Sequence, residues 1–336
     1  MTSRSILGLM YTLQGLRRLG EDPAPVLAHY GLDLDTLDPS TRIDRALELR
    51  IYVEIAESLR DPLAGLRSGE FTGFAGYGPF TMLLMTCASA QQAIEVGVRY
   101  QQLTFLFSTL SFERGEPASA LTLVPLPLPD KAFRFRIDGE VSGTYKLLRD
   151  LQATLGVDLN AEGVDLPYPR PPEADAYARH FGCPVRFDQP VARIWIRNLH
   201  LTLRFPTHDP AAHALYRDLC DRQLAQQQAE LRNLSEQVLR HLQLFRNHFP
   251  QAAQVAQMFG LSERSLRRRL GDEGTHFRDL LARARFARAS ELLTQSDLSV
   301  EAIAEQLGYA EPAAFIHAFQ RWADTTPLAF RNARRG

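Results

Sequence analysis

Val255-Ala256-Gln257-Met258-Phe259-Gly260-Leu261-Ser262-Glu263-Arg264-Ser265-Leu266-Arg267-Arg268-Arg269-Leu270 has the pattern of one small motif. It reads as a short helix, a glycine turn, a capping serine and a second helix. Ala256 is small enough to let the second helix approach the first. Gly260 stands where a left-handed backbone is expected, which glycine adopts without steric cost. Ser262 is a natural N-cap. At ~100° per residue from Arg264, Arg268 falls near ~40° and Arg267 near ~300°, while Leu266 and Leu270 fall near ~200–240°. One face is therefore apolar and the other carries three guanidinium groups. Arg269 lies on the flank, within reach of a phosphate.

The pattern recurs as Ile303-Ala304-x3-Gly308-Tyr309, followed by Phe315-x3-Phe319. One extra residue is needed to register the copies, after which Phe315 matches Leu266 and Phe319 matches Leu270. The outward positions are then Ala313, Ile316 and His317. A helix-turn-helix places its second helix in the major groove of DNA. Arginine suits that position because its fork binds guanine O6 and N7 bidentately or clamps a phosphate. Three arginines on one helix are by themselves an ordinary solvated face. The duplicated glycine-turn frame is what favours DNA. Ser262, Arg264, Ser265, Arg267, Arg268 and Arg269 of the first copy, with Ala313, Ile316 and His317 of the second, form the expected DNA-contacting set. The second face has few donors and is suited to thymine methyl groups, so the first copy is expected to carry most of the base discrimination.

From about Leu231 to Arg331 the chain resembles the DNA-binding domain of the AraC/XylS family of bacterial transcription regulators. The resemblance is carried by the second motif, by Arg321-Trp322, by Thr326-Pro327-x2-Phe330-Arg331, and by Arg285-x3-Ala289-x2-Leu292-Leu293 on the helix between the copies. His317 stands where the family usually has arginine, and Phe330 where it often has tyrosine. Phe74-x-Gly76-Tyr77-Gly78-Pro79 with Leu83-Leu84, Tyr177-x3-Phe181-Gly182-x-Pro184-Val185-x-Phe187, and Leu203-x-Phe205-Pro206 resemble the effector domain of the branch related to ornithine-utilisation regulators. The resemblance implies promoter DNA, a small-molecule effector and RNA polymerase as partners, a homodimer, and activation of a nearby operon.

Composition agrees with two domains. The 336 residues are 45% hydrophobic with a net charge of −1, enough for sizeable cores. From residue 226 onward there are 15 arginines against 12 acids, a net of +3, while the remainder carries 23 basic against 27 acidic residues, a net of −4. A mildly basic module attached to an acidic one fits a DNA-binding domain joined to a regulatory domain. Lysine occurs only at Lys131 and Lys146, so phosphate contacts in the C-terminal part fall to arginine, histidine, polar groups and backbone. Cys87, Cys183 and Cys220 form no CxxC and suit a reducing cytosol. The start shows no signal peptide and no run of about 18 apolar residues occurs. A cytoplasmic protein is expected.

The expected architecture is an α+β effector domain over residues 1–208, a linker helix over 209–230 that offers a dimer contact or packs internally, and an all-α domain with two helix-turn-helix modules over 231–336. Helices are expected at Ile6–Leu19, Ala24–His29, Leu47–Leu59, Ser89–Tyr100 and Tyr145–Leu155. Strands are expected near Phe105–Phe112, Ala120–Val124, Phe133–Ile137, Val185–Phe187 and Ile194–Ile196. Leu215, Leu219 and Leu224 fall toward one side of the linker helix, and Gln226-Gln227-Gln228 reads as a hinge. Eleven phenylalanines between Phe71 and Phe205 are core residues, some available to an apolar pocket. Phe71, Tyr77, Phe105 and Arg134 are the candidate effector contacts. Arg134 or Arg136 would meet an anionic effector, an apolar one being the alternative, and a surface strand face would also explain both arginines. His200, His208 and His213 lack metal-ligand spacing, and no nucleophile elbow, zinc-protease or P-loop motif occurs. No enzyme, metal or cofactor is expected.

Overall fold

The computed structural model describes residues 3–157, 160–230, 233–243, 245, 249–259 and 261–335. The first half of the chain runs β1 (Ser3–Ser5), α1 (Leu7–Arg18), α2 (Ala24–His29), β2 (Arg42–Asp44), α3 (Arg45–Ser58), α4 (Ala64–Ser68), α5 (Pro79–Met85), α6 (Ala90–Arg99), β3 (Thr109–Glu113), β4 (Ala118–Val124) and α7 (Asp130–Leu155). It continues with β5 (Gly163–Asp165), α8 (Ala174–Phe181), β6 (Val185–Arg186), β7 (Ala192–Arg197), α9 (Asn198–Leu201) and α10 (Pro210–Glu230). The last part is helical: α11 (Leu234–Gln243), α12 (Ala252–Met258), α13 (Glu263–Asp272), α14 (Phe277–Gln295), α15 (Val300–Gln306), α16 (Pro312–Ala323) and α17 (Pro327–Arg335). An α+β part is thus followed by an all-α part, as expected.

The chain divides into two compact units, one of Met1–Ile6, Ala24–Leu49 and Gln228–Gly336, the other of Leu7–Pro23 and Arg50–Gln227. These units cut the chain differently from the 1–208, 209–230 and 231–336 division drawn from sequence. The reason is local. β1 and β2 pair antiparallel, Ser3 opposite Asp44 and Ser5 opposite Arg42, and β2 packs beside α11. Arg240 on α11 donates to Ser3 Oγ. Behind this pair, Arg4 donates through Nε to Glu48 Oε2 at 2.6 Å, with both side chains at or below 4% exposure. An isolated pair of short strands is marginal in water; here helical neighbours cover it.

In the larger unit, five strands lie in the order β3-β4-β7-β5-β6. All neighbours are antiparallel except β5 and β6. β7 shows the period of two that a half-buried strand requires: Ala192, Ile194 and Ile196 are buried while Arg193, Trp195 and Arg197 are not. Leu121 and Leu123 of β4 join them in one core with Ile137, Val141, Tyr145 and Leu148 of α7. A second core gathers Phe80, Leu83, Tyr100, Leu151, Phe205 and Cys220.

Four expectations are corrected. Phe133–Ile137 is the first part of the 26-residue helix α7, and Tyr145–Leu155 is its end. Alternation of aromatic and arginine residues there mimicked a strand. The helical period was hidden because α7 buries charged residues beside apolar ones, Arg136, Asp138 and Glu140 among them. Arg136 and Glu140 pair at i and i+4, 2.7 Å apart. On α10 the covered side is Tyr216, Cys220 and Leu224, while Leu215 is 55% exposed. Tyr100 fixes this helix by donating to Asp221 at 2.7 Å. Gln226 and Gln227 continue α10 as helix. The strand expected from Phe105 begins later, at Thr109.

Candidate DNA-reading surface and ligand cavity

The first helix pair is α12 and α13. Val255 and Ala256 are 0% and 1% exposed, and Leu266 and Leu270 are 0% exposed, so the small residue and the i, i+4 leucines form the joint between the two helices. Gly260 lies outside the described residues. Ser262 caps α13 as its spacing suggested: its Oγ accepts from Ser265 N at 3.1 Å and donates to Ser265 Oγ at 2.9 Å. Arg264, Arg267, Arg268 and Arg269 are all exposed. Arg267 is tied to Glu263, one turn earlier on the same helix. Among the described residues no ion pair occupies Arg264, Arg268 or Arg269, so these guanidinium groups are available to an outside anion or base edge.

The second pair is α15 and α16. Ser299 caps α15, accepting from Ala302 N at 3.1 Å. Gly308 takes φ +77°, the left-handed turn that glycine permits. Ile303, Leu307, Phe315 and Phe319 are 0% exposed. Ala313 and His317 are exposed and Ile316 is half-buried. Between the pairs runs α14. Its Phe286 meets Phe319, Trp322 and Phe330 ring to ring at 5.5–6.5 Å. Its Arg285 lies 4.9 Å from the Tyr309 ring centre and 5.7 Å from that of Phe249. Arg331 of α17 donates to Leu293 O near the C-terminal end of α14 and to Leu298 O in the connection that follows. The residues of the helical resemblance are therefore mostly scaffold. They hold two exposed helices on a common support.

A cavity of about 100 Å³ lies inside the larger unit. Tyr77 and Phe105 line it, together with Tyr52, Phe80, Phe135 and Leu148. Phe105 stacks on Tyr77 with ring centres 4.6 Å apart. Phe71 does not line the cavity; its ring lies against Gly15 and under Arg18. Nor does Arg134, which donates to Tyr177 Oη and Glu173. Arg134 belongs to a separate buried cluster in which Tyr177 donates to Asp138 at 2.6 Å and Tyr168 also donates to Asp138. Burial pushes the Asp138 carboxyl up to about 7, against the pull of both phenols and Arg134.

The arginine that reaches the cavity is Arg136, with Glu140 beside it. Sequence alternation offered both arginines, and only a helical assignment distinguishes them. Glu140 accepts from Phe107 N at 2.9 Å and Ser108 N at 3.0 Å as well as from Arg136. Burial raises the Glu140 carboxyl, but Arg136 and these donors outweigh it and hold the group below its usual range. The Arg136 guanidinium sits 4.1 Å from the Tyr52 ring centre, a cation–π distance. Among the described residues no cluster of His, Cys, Asp or Glu fits a metal ion, and no helix is long and apolar enough to cross a membrane.

Comparison with known proteins adds the relationship. Residues 20–205 match the family model of the arabinose-binding N-terminal domain of AraC transcription regulators, and residues 255–333 match a helix-turn-helix domain model. The chain is 26% identical to the ornithine utilization regulator of Pseudomonas aeruginosa over 81% of its own length and 79% of that protein. It is 29% identical to the HTH-type transcriptional regulator VqsM of the same organism, over 61% of this chain and 62% of VqsM. An uncharacterized HTH-type transcriptional regulator of Mycobacterium tuberculosis is 28% identical over 94% of this chain and 92% of that one. The crystal structure of the transcriptional regulator CdpR from Pseudomonas aeruginosa aligns over 97% of this chain and 98% of that chain, with a TM-score of 0.51 and 23% identity, and supports the fold.

Proposed function

The chain belongs to the AraC family of transcription regulators, and from that premise we propose that it is a sequence-specific regulator controlled by a small-molecule effector and activating a nearby operon. The observation that carries this reading is the pair of exposed recognition helices on one support, the first with arginines unengaged by ion pairs among the described residues. The effector occupies the cavity lined by Tyr77 and Phe105. Its binding shifts the population of DNA-competent arrangements by its differential affinity for them. The protein acts in the cytoplasm as a homodimer, with RNA polymerase as its further partner. Ser262, Arg264, Ser265, Arg267, Arg268 and Arg269 contact one groove segment and Ala313, Ile316 and His317 the next. Ser262 and Ser265 do so while closing the helix cap, so their contribution is directed mainly to backbone phosphate. Footprinting on the DNA upstream of the neighbouring operon tests the reading. Two protected segments about one helical turn, ~10 base pairs, apart are expected. Protection no stronger than on random DNA at the same ionic strength would sink it.

The two helices differ in what they offer a base. α13 has arginine forks, whereas α16 has a methyl, a half-buried isoleucine and an imidazole. Base changes under α13 are therefore expected to cost more than those under α16 in a substitution scan of one site. His317→Arg should tighten binding by about 3- to 10-fold, because it adds a phosphate or guanine contact. Weaker binding by that variant would mean that the imidazole already serves a specific base.

A further inference from the structure

We infer that the cavity takes an uncharged, ring-sized apolar molecule carrying a hydrogen-bond donor, of the kind represented by phenol or indole. The inference rests on the effector reading only in assigning the ligand's regulatory role. Its chemical content comes from the walls.

Size is the first constraint. An apolar cavity of ~150 Å³ accommodates benzene, and the space here is about 100 Å³. Both are on the scale of a small ring system. The space exists partly because five glycines, Gly8, Gly69, Gly97, Gly139 and Gly143, stand along it. At Gly97 an added Cβ would meet no atom within 4 Å.

Charge is the second constraint. The ionised groups in the wall are Arg136 and Glu140, and they neutralise one another at 2.7 Å. Arg134, the arginine that would make an isolated cation for an anionic ligand, is turned into the Asp138 cluster instead. A carboxylate entering this space would be desolvated next to Glu140 with no uncompensated cation to receive it, which is strongly unfavourable. An ammonium group faces the same problem beside Arg136.

Hydrogen-bond direction is the third. Four hydroxyls in the wall spend their protons on backbone carbonyls: Thr12 on Gly8 at 3.1 Å, Ser68 on Gly65 at 2.9 Å, Thr104 on Gln101 at 2.6 Å and Thr144 on Glu140 at 2.7 Å. With Thr12 donating to Gly8, the Tyr52 hydroxyl 3.3 Å away donates to Thr12. Thr12 and Thr104 already accept, from Tyr52 and from Leu106 N at 3.3 Å, so Ser68 and Thr144 are the hydroxyls whose lone pairs a ligand donor would meet. The matching ligand group is an O–H or N–H.

Calorimetric titration of the full-length chain with phenol, indole, toluene, benzoate and benzylammonium tests this. Phenol and indole are expected to bind. Toluene, which lacks the donor, should be about 3- to 10-fold weaker. Both ions should be weaker than phenol by tenfold or more. Gly97→Leu projects a side chain into the open space and should abolish phenol binding; the milder Gly97→Ala should weaken it, with the helix retained because both residues exceed glycine in helix propensity. Benzoate binding as tightly as phenol overturns the ligand class. So does phenol affinity unchanged in both Gly97 variants, or the absence of heat from every neutral probe at millimolar concentration. A separate arm measures affinity for the footprinted DNA with and without saturating phenol. No change there, with calorimetry positive, overturns the regulatory role of the cavity and upholds its ligand class.

Discussion

Glu48→Ala is expected to destabilise the unit that carries the recognition helices by about 3–5 kcal/mol, the usual effect of removing one member of a buried ion pair. Glu48 is fully buried and lies 2.6 Å from Arg4, itself almost fully covered. The variant leaves the buried Arg4 guanidinium without this carboxylate. Against a total stability of roughly 5–15 kcal/mol for a domain, that loss is large. A melting temperature lower by on the order of 10–20 °C is expected. DNA binding should disappear at temperatures where the parent protein still binds. Replacing both partners, Arg4→Met with Glu48→Leu, should restore much of the stability, since an apolar pair of similar volume avoids desolvation altogether. A loss under about 1 kcal/mol for Glu48→Ala would show that water reaches the pair. The same geometry predicts that a fragment beginning at Gln228 melts lower than the corresponding unit in the full chain, because it lacks β1, β2 and their contacts with α11.

Arg268→Ala is expected to reduce specific DNA binding by about 10- to 100-fold while changing random-DNA binding far less. Arg268 is exposed on α13, roughly 40° from Arg264 around the helix, and Leu266 and Leu270 turn the opposite face inward at 0% exposure. Loss of one bidentate base contact corresponds to about 1–3 kcal/mol. Fluorescence anisotropy with the footprinted site and a scrambled duplex, at one fixed salt concentration, separates the two effects. Equal losses on both duplexes would reassign Arg268 to a phosphate. Arg267 makes the useful control. Its ion pair with Glu263 must open before it can reach a base, so Arg267→Ala should cost less.

The helical part was legible in the sequence because its rules are local. A capping serine, a glycine turn and leucines at i and i+4 constrain one another within sixteen residues, and the packing of Leu266, Leu270, Phe315 and Phe319 follows them. The larger unit was harder to read. α7 looked like a strand over Phe133–Ile137 because it is central: when a helix is covered on several sides and satisfies its charges internally through Arg136 and Glu140, the contrast between apolar and polar faces disappears. The cavity was legible only in part, for a related reason. Tyr77, between Gly76 and Gly78, and Phe105 stood out as aromatic residues. Thr12, Thr144 and Gly97, which shape the space, have no sequence signal of their own and are gathered only by the tertiary fold. β1 and β2 escaped notice because three residues are too few to show any period.

The path of the chain between its two compact units has an evolutionary consequence. It passes from one to the other at residues 6–7, 23–24, 49–50 and 227–228. A gene rearrangement that moved only the last hundred codons onto a different sensory segment would leave behind the strands beginning at Ser3 and Arg42 and the Arg4–Glu48 pair. In proteins joined by a single tether, shuffling yields working hybrids from one crossover. Here the reading head includes residues 1–6 and 24–49 as well as 228–336, so a working hybrid has to carry those segments together.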